Sequence, residues 1–180
     1  MTHHLADPIA LPPFAAITPD AIAAALDDVL AQQSETIAQL ISTAPENFAE
    51  AWLPLERSQA AVDALWSAVS HLHAVADTPA LRQAHAEGQA QVVRSSMSVQ
   101  QNKDLHALLV NLTRADDFAA LPQADRVAVE RAIRDASLSG IALDPEVRKA
   151  FAEISMELSA LANGFSSAVL DATDAWSEHI

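Results

Sequence analysis

No cysteine occurs in the 180 residues. Disulfides and thiolate metal sites are therefore excluded, which fits a reducing compartment. Glycine is nearly absent, with 3 in the chain, too few for a backbone phosphate cradle. Neither G-x-x-x-x-G-K-[ST] nor G-x-G-x-x-G is present, and no G-x-S-x-G elbow marks a serine hydrolase. Basic residues are scarce, 10 against 24 acidic, for a net charge of −14. That balance lacks the footprint of a nucleic-acid binder and disfavours anionic membrane surfaces. No stretch approaches the ~18 apolar residues of a membrane span. Met1 to Pro8 lacks the charged and apolar regions of a secretory signal, so the cytoplasm is the expected location.

What is present is alanine and aliphatic side chain. Apolar residues make up 51% of the chain and aromatics only 4%. Alanine loses no side-chain entropy in a helix, so a core of Leu, Val, Ile and Ala at close helix–helix approach is expected. The length fits one domain. The acidic residues are dispersed. A solvated surface is the simpler reading; an acidic channel wall selecting basic peptides is the sharper one.

The chain reads as all-α, an antiparallel helical bundle with short connections and a long C-terminal helix. Residues 1–17 form an extended lead-in, since Pro8, Pro12 and Pro13 oppose helix, with Leu11, Phe14 and Ile17 able to lie against a body. Residues 18–180 form a single helical domain. Thr18, Pro19 and Asp20 make a helix start, and Ile22, Leu26, Val29, Ile37 and Leu40 carry a 3.6 period to about 41. A second element spans about 46–76, where Pro54 either kinks one helix or divides two. A third, about 79–101, has its apolar face diluted by Gly88, Gln91, Ser95, Ser96 and Ser98. A short piece with Leu105, Leu108, Leu109 and Leu112 follows. Pro122 opens a helix to about 138, and Gly140 is its natural C-cap. The last helix, about 145–171, has the cleanest stripe: Val147, Phe151, Ile154, Leu158, Leu161, Phe165 and Val169 line one face.

Four patches carry a resemblance. Leu11-Pro-Pro-Phe14 precedes Ile17-Thr-Pro19. Val69-Ser-His-Leu72 stands with Val75. Ile133-Arg-Asp135 leads into Leu138-Ser-Gly-Ile-Ala-Leu143. Glu157 to Thr173, ending in Val169-Leu-Asp-Ala-Thr173, precedes Trp176. In this order and spacing the chain resembles the front helical domain of the thimet-oligopeptidase family of zinc metallopeptidases, in its oligopeptidase A group. The resemblance implies a cytoplasmic enzyme that cleaves short peptides in a deep channel, with this region forming part of a wall and restricting access. The family's H-E-x-x-H, two zinc-binding histidines on one helix face with a glutamate base, lies beyond the matched region. No catalytic, cofactor-binding or metal-binding residue of the family maps onto positions 1–180. The chain alone is expected to be inactive, with zinc and short peptides belonging to full-length relatives and the catalytic domain as its partner. The alternative is a stand-alone truncated interaction module that self-associates or binds a partner protein through uncovered apolar surface.

Seven histidines raise a metal hypothesis, a third and weaker reading. A helical zinc site wants two histidines at i and i+4. His71 and His73 are two apart and point in different directions, with His73 nearer the apolar stripe. His85, Glu87 and His106 add no pair, and His3 and His4 fall in a loose terminus. Satisfied or solvated histidines are the simpler reading; His71, inside a family-like patch, is the one to follow. Trp52 and Trp66 are expected at the core or its edge, and Trp176 against whatever follows it in a full-length relative. Arg57, Arg126, Arg131 and Arg134 are expected in surface pairs, with Glu130–Arg134 in the favourable i, i+4 order.

Overall fold

The computed structural model describes residues 4–177. Six α-helices run in the order α1 (Pro19–Thr43), α2 (Phe48–Val75), α3 (Pro79–Gln100), α4 (Lys103–Leu112), α5 (Gln123–Leu138) and α6 (Pro145–Asp174), with short 3-10 turns at Phe14–Ala16 and Phe118–Ala120. Among the described residues there is no strand. The fold is all-α.

Local chemistry sets most boundaries. Asn47 caps α2 by accepting from the Glu50 amide at 3.0 Å, and Thr78 caps α3 by accepting from Leu81 at 3.2 Å. Asn102 accepts from both Asp104 and Leu105 to start α4. Each satisfies helix donors that lack an intrahelical partner. Thr18 holds the N-cap position of α1, but its side chain makes no capping bond, and Pro19 supplies the preset backbone angle instead. Pro54 lies inside one continuous α2. Gly140 follows α5 with φ of +82°, the left-handed conformation expected after a helix end. Ala44 ends α1 in the same region, at φ 44°, where a Cβ is disfavoured.

Two buried clusters fill the body. The first joins Leu5, Ala6 and Ile17 of the lead-in to Ile22, Leu26 and Val29 of α1, Val62, Leu65 and Val69 of α2, and Leu81 of α3. The second joins Ile37 and Leu40 of α1 to Ala51 and Leu55 of α2, the four α4 leucines, Phe118, and Val129 of α5. Gln33, 2% exposed, crosses α1 between them. It donates to Gln59 at 2.8 Å and accepts from Ser95 at 3.2 Å, which satisfies a polar group that would otherwise be costly to bury. Within the lead-in, Ile17 packs inward as its sequence suggests, whereas Leu11 is almost fully exposed and Leu5 and Ala6 are buried instead.

The long C-terminal helix departs from its pattern. No residue of α6 is buried. Of its stripe, Val147, Ile154, Leu158, Leu161, Phe165 and Val169 are exposed, Phe165 to 72%. Gln89, Ala90 and Val93 of α3 instead face Met156, Ser159, Ala160, Asn163 and Gly164 of α6. At about 100° per residue that set lies on the side of the helix roughly opposite the stripe. Mostly small and polar side chains, with Met156, thus face α3, and the stripe, Phe151 apart, turns away from the bundle.

Candidate functional site

Near the α2–α3 turn, three aromatic rings stack. His73, one residue past Leu72 on α2, and His85, on the second turn of α3, are both 7% exposed. Their ring centroids are 4.2 Å apart with planes 9° from parallel. Trp66 covers the other side of His85 at 4.9 Å and 20°. Gly88 makes this approach possible, because a Cβ there would lie 2.7 Å from the Trp66 ring and 2.8 Å from Leu26. Ser70 Oγ lies 3.4 Å from His85 Nε2. His85 Nδ1 has no hydrogen-bond partner. Burial is the main force and holds His85 below the usual histidine range of 6.5. The charge of a protonated His73 pushes the same way, and Asn163 pulls weakly back.

A charged cluster adjoins the stack. Asp77 lies 3.8 Å from His73 Nε2 and pairs closely with Arg82. Arg82 also donates to both oxygens of Asp171 on α6, at 2.9 and 2.7 Å. The Arg82 bonds hold both carboxyls below their ordinary value and raise the guanidinium above its own. Arg82, His85 and Gln89 stand at i, i+3 and i+7, one face of α3. Opposite them on α6 are Asp171, Asn163 and Ser159, the last accepting from Gln89 at 3.0 Å. This polar row ties α6 to the bundle beside a cavity of about 240 Å³ between the two helices.

These groups do not build a metal centre. Imidazole lone pairs lie in the ring plane, so nearly parallel rings cannot aim them at one ion. No group of three His, Cys, Asp or Glu suited to a metal occurs among the described residues. His71 is exposed and tilts against Phe14 at 5.6 Å; it joins no cluster. His106 stands apart on α4, and His3 lies outside the described residues. Spacing along one helix singled out His71 and His73, whereas the contact that matters brings His73 to His85 from the next helix. The available signal was their placement: both fall on inward faces flanking a short turn. Trp52 packs against the second cluster and Trp66 against the first, as expected, and Trp176 is 71% exposed. The expected Glu130–Arg134 pair does not form. Arg134 turns to its neighbour Asp135 at 3.1 Å, while Arg126 donates to the carbonyls of Ala119 and Leu121.

A groove of about 620 Å³ between the C-terminal end of α1 and α4 is lined by Ile41, Pro45, Glu46, Asp104, Leu108 and Arg114. Its lining contains no nucleophile–base pair. The largest unsatisfied feature is the α6 stripe, flanked by the exposed Trp176. Contiguous exposed apolar side chains of this extent mark an interaction surface.

Comparison with known proteins places these features. The family model for the neurolysin/thimet oligopeptidase N-terminal domain matches residues 26–148. Oligopeptidase A of Escherichia coli K12 is 34% identical over 179 residues, covering 99% of this chain and 26% of that protein. Oligopeptidase A of Salmonella typhimurium is 33% identical over 181 residues, covering 27% of its length. A probable cytosolic oligopeptidase A of Arabidopsis thaliana is 32% identical over 162 residues, 90% of this chain and 23% of that protein. The chain spans about a quarter of the length of these relatives.

Proposed function

Because the chain belongs to the neurolysin/thimet oligopeptidase family, matching its N-terminal domain, we propose that it is the wall and access region of a cytoplasmic peptidase that hydrolyses short peptides. Residues 18–180 are that domain, and 1–17 are a lead-in strapped to it by Leu5, Ala6 and Ile17. The outward stripe of α6 carries the proposal. An amphipathic helix buries its apolar face, yet in α6 only Phe151 of the stripe is even half-buried, beside Gly140, and the other six residues are exposed. The remainder of an oligopeptidase A-like chain is the body that would cover it.

The zinc implied by the family resemblance finds no fitting residues here, since no metal-suited cluster occurs among the described residues. The contribution of this region is shape. A wall fixed beside a catalytic body limits which peptides reach it, and binding geometry, not proton transfer, is what these side chains supply.

A chimera tests the assignment. This chain replaces the aligned quarter of the E. coli relative. The chimera is expected to cleave short peptides, and the 180-residue chain with added zinc to cleave none. A folded but inactive chimera, or zinc-dependent cleavage by the chain alone, argues against it. The same stripe supports a second reading, in which the chain acts alone and the surface pairs with a second copy or a partner protein. Sedimentation separates the two: a concentration-independent monomer leaves the interaction module without support.

A further inference from the structure

The α3–α6 seam is held unlike any other in the molecule. Every other helix contributes buried side chains to the body, and α6 contributes none. Its side-chain ties to α3 are Arg82–Asp171 and Gln89–Ser159, with a cavity lined by Ala86, Ala90, Ala160 and Gly164 beside them. His85 stands between Arg82 and Gln89 on the same face of α3, and its ordinary titration range lies near neutral pH.

We propose that the stacked His73–His85 pair is an acid-sensitive latch, in which protonation of His85 frees the C-terminal half of α6 from α3. The ring is buried and stacks against Trp66 and His73, on the α3 face whose neighbours Arg82 and Gln89 bond to α6. The charged and titratable groups around it are His73 from α2, Asp77 from the connector, Arg82 from α3 and Asp171 from α6; α1 presents apolar Leu26 on the Trp66 side. Asp77 stands beside His73 and offsets charge there. Ser70, 3.4 Å from His85 Nε2, and Asn163, which acts weakly on the ring, are neutral. A charge on His85 therefore meets burial on every side and a second imidazole at 4.2 Å. It needs water, and the least costly way to admit water is to lift α6, the α-helix with no fully buried residue. The Arg82–Asp171 pair at the end of the seam is exposed and screened, so it resists this motion weakly. Burial holding His85 in its neutral form at neutral pH agrees with a latch that is closed there. This inference stands on the α2–α3–α6 geometry and is independent of the peptidase assignment.

Amide hydrogen exchange on the full 180-residue chain tests it, with labelling times corrected for the pH dependence of intrinsic exchange. Between about pH 7.5 and about pH 5.5, amides of 155–171 are expected to exchange roughly tenfold faster, while those around Leu26 and Leu65 stay protected. His85→Gln is expected to abolish the difference. His73→Gln is expected to move its midpoint up toward the ordinary histidine value, because the neighbouring charge is gone. In the unmodified chain, NMR titration of the His85 ring should share its midpoint with the α6 change, which keeps the test independent of how the variants fold. Exchange in α6 that ignores pH, an acid response that survives in folded His85→Gln, or a His85 titration unrelated to α6 opening each overturns the latch.

Discussion

Arg82, in the first turn of α3, grips Asp171 near the end of α6 with two hydrogen bonds of 2.9 and 2.7 Å, across 89 residues of sequence. Both oxygens of one carboxylate are engaged, the geometry that a planar guanidinium favours. The same guanidinium holds Asp77, so one cation ties the α2–α3 connector to α6. The pair is largely exposed, and its value lies in position more than in global stability. Asp171→Asn is expected to leave the urea midpoint nearly unchanged and to raise hydrogen exchange in 165–174 several-fold. A drop in global stability as large as that of a core substitution would show that the pair does more than locate α6.

Stability should fall with acid in two windows. His85 is held below its unfolded value of 6.5, so the unfolded chain binds the proton first. Its contribution is complete above 6.5 and declines as pH drops below that value and on through the lower folded one. Asp77 and Asp171 are held below 3.8 by Arg82. Their contribution is complete above about 4 and is lost only in stronger acid. Urea unfolding across a pH series should therefore show a decline beginning near 6.5, then a second and steeper one below about 4. A flat midpoint between pH 7.5 and pH 5 contradicts the first.

Ala44 occupies left-handed backbone at the end of α1. A Cβ there costs about 1 kcal/mol, part of which returns as the greater unfolded-state freedom of glycine. Ala44→Gly is expected to stabilise by about 0.5–1 kcal/mol in denaturant titrations. A destabilised variant would mean that the methyl group makes compensating contacts.

Gly88 is the opposite case. Alanine is the better helix former by about 1 kcal/mol, yet its methyl would press on the Trp66 ring at 2.7 Å. The ring is held between His85 and the first core cluster and cannot yield as a flexible chain end does. Gly88→Ala is expected to destabilise by about 1–3 kcal/mol and to perturb the Trp66 and His85 ring signals. A neutral result would show that the stack has slack.

The stripe of α6 makes a prediction with two opposite readouts. Leu158→Glu with Phe165→Glu replaces apolar groups that are 61% and 72% exposed, so the 180-residue chain should keep its stability within about 0.5 kcal/mol and gain solubility. In the chimera with the E. coli relative the same pair should abolish peptide hydrolysis, because two charges would be buried without partners. Retained activity would place the covering body elsewhere.

Much of the fold was legible in the sequence because its signals are local. Pro19 at the start of α1, the leucines of α4 and Gly140 after α5 each act within a few residues. Periodicity found the inward face of α1 for the same reason: Ile22, Leu26, Val29, Ile37 and Leu40 are all buried. The α6 pattern was equally clear, but periodicity reports that a face is apolar and does not name what it meets. The candidate site was less legible. His73 and His85 come together from two helices, and Trp66 closes over them only because Gly88 leaves room. Asp171 finds Arg82 across most of the domain.

The amino-acid sequence by itself determined an all-α chain, the starts and stops of its helices, and the family-like patches, since capping, helix propensity and turn geometry are decided between near neighbours. Tertiary structure alone decided that the cleanest amphipathic helix turns its apolar face away from its own bundle, and that two histidines twelve positions apart share one buried stack. Both depend on how helices lie against one another, and that is set by close packing among side chains remote in the chain.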